Sequence, residues 1–210
     1  MFNRYFSTEG NLDFIYANIV IKNINFALIS LHYILDVSDF ELSIYRDEHS
    51  YYFFHIQSVL TACGNISNIF YNYGGQGGRT ATLRSQRLRK VFNISKEDYP
   101  LTFQKEVRNT NAHFDERYEQ FNGNVGDYNL LDVDTDTTMR NTILNNPHLR
   151  TYDKSNGIYY TYNRNLQQIE YNLWHLRDEL SDMIYKINEN SITNVAWVDA
   201  IPDEKVKDRE

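Results

Sequence analysis

"NLDFIYANIVIKNINFALISLHYIL", residues 11 to 35, decides the fold class. Its apolar residues Ile15, Ile19, Phe26, Ile29 and Tyr33 recur at spacings of three, four and seven, the period of a helix that turns one side toward a core. The spacing predicts a long, core-facing first helix. Its densest apolar run, "FALISLHYIL" (26 to 35), contains His32 and is about half the length a membrane span requires, so a buried helix with no membrane anchor is the expectation.

The neighbouring stretches extend the helical reading. Tyr52, Ile56, Val59, Cys63, Ile66, Phe70 and Tyr73 lie on one helical stripe that stops at "YGGQGG" (73 to 78). "RTATLRSQRLRKVF" (79 to 92) predicts a short helix with Leu83, Leu88, Val91 and Phe92 for packing and its basic residues mostly outward. "SKEDYP" (95 to 100) offers Ser95 or Asp98 as a cap and Pro100 for a first turn, opening a helix expected to reach the "NGNVG" break at 122 to 126.

Beyond that break the period changes. "YNLLDVDT" (128 to 135) reads as a strand, and "HLRTYD" with "IYYTYN" reads as a hairpin about Asn156 and Gly157. Ile169, Leu173, Leu176, Leu180, Met183, Ile184 and Ile187 then form a closing helix. The expected architecture is mainly α: long helices near 11–35, 47–73, 100–121 and 167–188, a short basic helix, and a β insertion at about 126–164. One domain would span 1–198, with a charged tail at 199–210.

Composition agrees with a soluble globular chain: 41% of 210 residues are hydrophobic and 23% charged. With 17 Tyr and 12 Phe, the core must be built largely from aromatic rings whose polar tips need partners. The single Cys63 excludes an intramolecular disulfide framework, and "MFNRYFSTEGNLDF" (1 to 14) lacks the organisation of a secretory signal, so the cytoplasm is the expected location. The net charge of −7 argues against a broadly basic surface, yet Arg79, Arg84, Arg87, Arg89 and Lys90 form a local basic segment. That segment suits either phosphate contact or a solvated helix face.

"VRNTNAHFDERYEQF" (107 to 121) is the polar stretch that asks for a function. On a regular helix Phe103, Val107, Phe114, Tyr118 and Phe121 fall within about 60° and make a core stripe. Asn109, His113, Glu116 and Gln120 share a flank, while Arg108 lies roughly 140° from His113. Arg108 and His113 therefore meet only if the helix bends, the Arg curls round, or a second protomer completes the site. A plain wet flank, with Arg108 pairing to Asp115, satisfies the same pattern.

"RNTNAH" (108 to 113) resembles the Arg-polar-x-x-x-His signature of the HEPN superfamily of helical-bundle proteins. The longer "RNTNAHFDER" is similar to a group of uncharacterised bacterial proteins with an Arg-Asn pair before a His-Phe-Asp-Glu-Arg run. The HEPN resemblance implies a metal-independent ribonuclease of the toxin or anti-phage kind, acting as a homodimer on RNA, with an antitoxin or other protein as partner and no cofactor. It implies that His113 is general acid or base, that Arg108 stabilises phosphate charge, and that Asn109 orients them. Glu116 and Arg117, one turn on from His113, would support it from behind.

Other polar stretches rank lower. "GGQGGR" (74 to 79) lacks the Gly-Lys-Ser/Thr ending of a phosphate loop, and "DVDTDTT" (132 to 138) lacks the glycine and glutamate of a calcium loop. His32, His49, His55, His148 and His175 compose no metal motif, and Cys63 reads as packing. Two functions stay open at this point: a HEPN-like ribonuclease, or a non-catalytic helical binding or scaffold protein that senses a nucleotide or docks a partner.

Overall fold

The computed structural model describes residues 8–36, 48–72, 77–112, 128–131, 148–163, 165 and 167–190. These form α1 (Thr8–Leu35), α2 (Glu48–Tyr71), α3 (Gly78–Phe92), α4 (Lys105–Ala112), β1 (Tyr128–Leu131), β2 (Arg150–Asp153), β3 (Ile158–Tyr162), β4 (Gln168–Asn172) and α5 (Leu173–Asn190). The protein is a mainly helical bundle with a small sheet before its last helix, as the periodicity predicts.

The most extensive helix pairing joins α1 to α2. Tyr51 Oη donates to the Tyr33 carbonyl and Asn65 Nδ2 to Asn23 Oδ1 at 2.9 Å, which fixes the two helices antiparallel. The inner face of α1 is Ala17, Val20, Ile21, Ile24, Ala27, Leu31 and Ile34, all buried. This corrects the sequence expectation: Ile15, Ile19, Phe26, Ile29 and Tyr33 are all exposed. Two apolar stripes run on opposite sides of α1, and the one containing Ala17 and Ala27 is inside.

On α2 Tyr52, Ile56, Val59, Cys63, Ile66 and Phe70 of the expected stripe are buried, and Tyr73 lies outside the described residues. On α3 the expectation holds for Leu88 and Phe92, whereas Leu83 and Val91 are exposed. This helix ends at Asn93, whose φ of 53° is left-handed, and Ile94 N–H donates back to the Arg89 carbonyl at 3.0 Å. Burial of Ile94 completes that C-terminal cap.

The helix expected from residue 100 begins instead at Lys105. Residues 96–98 and 100–103 are turns, and the backbone groups of Leu101 and Thr102 are taken by distant side chains. Glu179 of α5 accepts Leu101 N–H at 3.0 Å and both the N–H and hydroxyl of Thr102 at 2.8 Å. Tyr171 Oη donates to the Leu101 carbonyl at 2.9 Å, and Ser67 Oγ to that of Thr102 at 3.1 Å. Leu101 and Thr102 thus have their backbone groups satisfied from outside, while the Phe103 and Gln104 N–H groups bond locally to the Tyr99 and Leu101 carbonyls at 3.2 and 3.1 Å. Residues 113–127, where the rest of the expected helix falls, lie outside the described residues.

The hairpin is present and is part of a four-stranded sheet in the order β1-β2-β3-β4, with β1 parallel to β2 and the other pairs antiparallel. Gly157 sits in its turn with φ of 62°, and a Cβ there would lie 2.4 Å from Trp174 Nε1, so both backbone and space require glycine. Asp153 shapes the same turn by accepting Ser155 N–H at 3.1 Å and Asn156 Nδ2 at 2.8 Å.

A second correction concerns β4. Residues 168–172 fall by periodicity within the last helix, 167–188, but they pair with β3 from Ile158↔Asn172 to Tyr162↔Gln168. Asn172 then ends the strand and caps α5, its Oδ1 accepting His175 N–H at 3.0 Å. The register sets Tyr152, Tyr159 and Tyr171 side by side on one face, and all three are fully buried. Tyr152 Oη reaches the Ile34 carbonyl at 3.4 Å, so this row joins the sheet to the helices by apolar rings and bonded tips.

Candidate functional site

Arg108 and Asn109 of "RNTNAH" fall on α4, the shortest described helix. Val107 and Phe103 are buried, with Phe103 meeting Phe70 and Tyr71 of α2 edge-on at 6.0 and 4.7 Å. The Glu179 clamp fixes the turn just before them. Arg108 and Asn109 follow on α4, and Asn109 is half-buried. His113, Glu116 and Arg117 lie outside the described residues, as do "DVDTDTT" and residues 74–76 of "GGQGGR".

The basic segment is distributed by the helical period of α3. Arg87 Nε and Nη2 both donate to Asp13 Oδ1 of α1, at 3.0 and 2.7 Å. Arg84 donates to Tyr16 Oη at 3.2 Å and lies over that ring at 4.9 Å. Arg89 donates to the Phe70 carbonyl and lies 4.4 Å from the Tyr71 ring. These three fasten α3 to α1 and α2, and each is half-buried; Arg79 and Lys90 are exposed. The basic side chains expected to point mostly outward are thus largely committed to packing.

A different surface emerges from α1. Between residues 15 and 36 its exposed positions are 15, 19, 22, 26, 29, 33 and 36. With Leu12 this gives an outer ridge of Leu12, Ile15, Ile19, Lys22, Phe26, Ile29 and Tyr33, spaced alternately three and four. Its six apolar members are 39% to 61% exposed. Phe54 of α2, 62% exposed, stands beside it. Such a contiguous apolar surface is unusual on a monomer.

Between α1 and α2, next to the ridge, lies a groove of about 700 Å³. Phe26, Ile29 and Phe54 supply its apolar walls, while Asn23, Asn65 and His55 supply polar groups. Asn23 and Asn65 are joined to each other, and Asn23 Nδ2 also donates to the Ile19 carbonyl at 2.8 Å. The His55 ring stacks on Tyr33 at 5.1 Å and meets Tyr51 edge-on at 4.7 Å. Burial holds its pKa below the ordinary 6.5, so the ring is neutral at pH 7, and its Nδ1 has no hydrogen-bond partner among the described residues.

The remaining singled-out groups are structural. Cys63 is buried, and burial pushes its thiol up to about 12, which makes it inert. His32 is half-buried and bonds Asp36 at 3.0 Å, whereas His175 is exposed. Among the described residues no group of three or more His, Cys, Asp or Glu side chains is gathered as for a metal.

One helix among the described residues is long and apolar enough to cross a membrane: Leu12–Leu35, with mean hydropathy 1.5 and 39% of its window buried in the bundle. Compared with protein-family models, curated proteins and solved structures, the chain matches none. The outer ridge was missed in the sequence because its residues were assigned to the core. The signal available was a second apolar stripe, marked by two alanines, on the opposite side of the same helix.

Proposed function

We propose that this chain is a non-catalytic helical binding or scaffold protein that docks another protein along the outer ridge of α1. The observation that carries this reading is the ridge itself: over about 31 Å of helix, the most solvent-facing line is apolar at every position but Lys22. A bundle that only had to be soluble would place polar residues there. Knobs spaced three and four apart suit a partner helix, and the neighbouring groove offers room for its side chains.

The test is photo-crosslinking in the native cell with benzophenone side chains at Ile29 and, as a control, at Thr82 on the exposed side of α3. Discrete protein adducts from position 29 and none from position 82 are expected. Equal labelling at both positions rejects the reading.

A second reading, RNA cleavage by Arg108 and His113 with Asn109 in support, is favoured by the "RNTNAH" motif. Its support from the basic segment is reduced to Arg79 and Lys90, because Arg84, Arg87 and Arg89 serve packing. Cleavage of RNA into defined fragments in EDTA, lost in His113→Ala, is what this reading expects. Equal fragmentation by both proteins rejects it.

A further inference from the structure

Resting on the docking reading, we infer that the occupant of the α1 ridge is a second copy of this chain, with the two α1 helices packed antiparallel. The ridge follows a heptad rule: Leu12, Ile19, Phe26 and Tyr33 occupy one seam position, and Ile15, Lys22 and Ile29 the other. In an antiparallel pair the two seam positions face each other. Two registers each join three layers of the ridge, with residue numbers summing to 41 or to 48; the first sets Lys22 against Ile19 of the partner subunit, and only the second sets it against an aromatic ring, so we take the second.

The three layers that this register forms between ridge residues are compatible, and Leu12 faces Asp36 of the partner subunit at the rim. Ile19 meets Ile29 of the partner subunit, Ile15 meets Tyr33 of the partner subunit, and two-fold symmetry repeats both contacts. Lys22 meets Phe26 of the partner subunit, an aromatic face that attracts a cation. The polar groups of Asn23 and Asn65 lie in the groove that Phe26 lines, beside the layer that receives the ammonium group.

The same lysine separates the alternatives. A parallel pair would set Lys22 against Lys22 of the partner subunit, two like charges in an apolar seam. A lipid surface would have to take up Lys22 from the middle of the ridge, where charge is disfavoured, while the inner face of α1 remains bound in the bundle core. The antiparallel second copy leaves no layer with like charges or a stranded cation.

Sedimentation of the full chain at micromolar concentration should give twice 24.9 kDa. The double variant Phe26→Asp, Ile29→Asp should give the monomer with unchanged helical circular dichroism, since both residues are exposed. Register is read separately with a short bismaleimide, which spares the buried Cys63. Ile19→Cys combined with Ile29→Cys should crosslink to a covalent dimer, and Ile19→Cys alone should not.

Efficient crosslinking by Ile19→Cys alone indicates a parallel pair or a shifted antiparallel register and overturns the inference. So does a dimer indifferent to the aspartates, or a monomeric wild type, including one that floats with phosphatidylcholine–phosphatidylglycerol vesicles. A monomer whose position 29 still labels a different protein rejects the second copy and leaves the docking reading intact. A monomer with no specific label at that position rejects both.

Discussion

The two sides of α1 carry nearly the same chemistry and meet opposite fates. Val20, Ile24 and Leu31 are almost wholly removed from water, whereas Ile19, Phe26 and Ile29 on the other side remain 39% to 61% exposed. Neither hydrophobicity nor helical spacing separates them. The difference lies in close approach: Ala17 and Ala27 on the inner side give neighbouring elements room to pack, and the outer side presents large knobs that the described chain leaves largely exposed. An apolar stripe therefore states that burial is favourable and leaves open what does the burying.

Substitutions on the two faces measure that difference. Leu31→Ala, at a site with no exposure, should destabilise the fold by about 2–5 kcal/mol, read from the shift in the urea midpoint. Ile29→Ser on the outer ridge should leave the monomer within about 0.5 kcal/mol of wild type. If the two effects are equal in a monomeric preparation, the assignment of inner and outer faces is wrong.

The clamp before α4 gives a smaller effect from a different cause. Glu179→Ala would leave the N–H groups of Leu101 and Thr102 and the Thr102 hydroxyl without their acceptor. A loss of about 1–3 kcal/mol is expected, because unpaired buried donors carry their desolvation cost. Faster amide exchange at Leu101 and Thr102 should accompany it, and unchanged exchange there would remove the clamp from the account.

The α3 contacts should matter less. Arg87→Ala, breaking a partly exposed ion pair with Asp13, should cost about 0.2–1 kcal/mol and less in high salt. A larger, salt-independent loss would mean that the arginine stem contributes mainly by packing.

The smallest expected effect is a pH slope at the groove. His55 has a folded pKa below its ordinary 6.5, so the unfolded chain binds its proton first. Its stabilising contribution is full above that value and falls as pH drops through it toward the folded pKa. Relative to wild type, His55→Gln should therefore gain stability as pH falls from about 7.5 to about 5.5. A constant difference in urea midpoint would remove His55 from the pH response.

Much of the architecture was legible from local periodicity. The α2 stripe, the α5 stripe from Leu173 onward, and the Asn156–Gly157 turn each follow from side-chain spacing or from a backbone angle that only certain residues adopt readily. The break after α2 was legible for the same reason. The candidate site was legible only as a motif, because "RNTNAH" is a short pattern whose meaning depends on what faces it.

What only the tertiary structure decided involves partners distant in sequence. Residues 168–172 became a strand because β3 stood ready to pair with them, although Ile169 also fits a helical period. Residues 100–104 remained outside a helix where Glu179, Tyr171 and Ser67 take up the backbone groups of Leu101 and Thr102 from far along the chain. Arg84, Arg87 and Arg89 turned inward because Asp13, Tyr16 and the Phe70 carbonyl lay within reach. The sequence by itself determined that α1 is a helix apolar on two sides; its neighbours chose the inner one. A local period fixes which residues share a face, but the direction of that face depends on contacts that exist only once the bundle has formed.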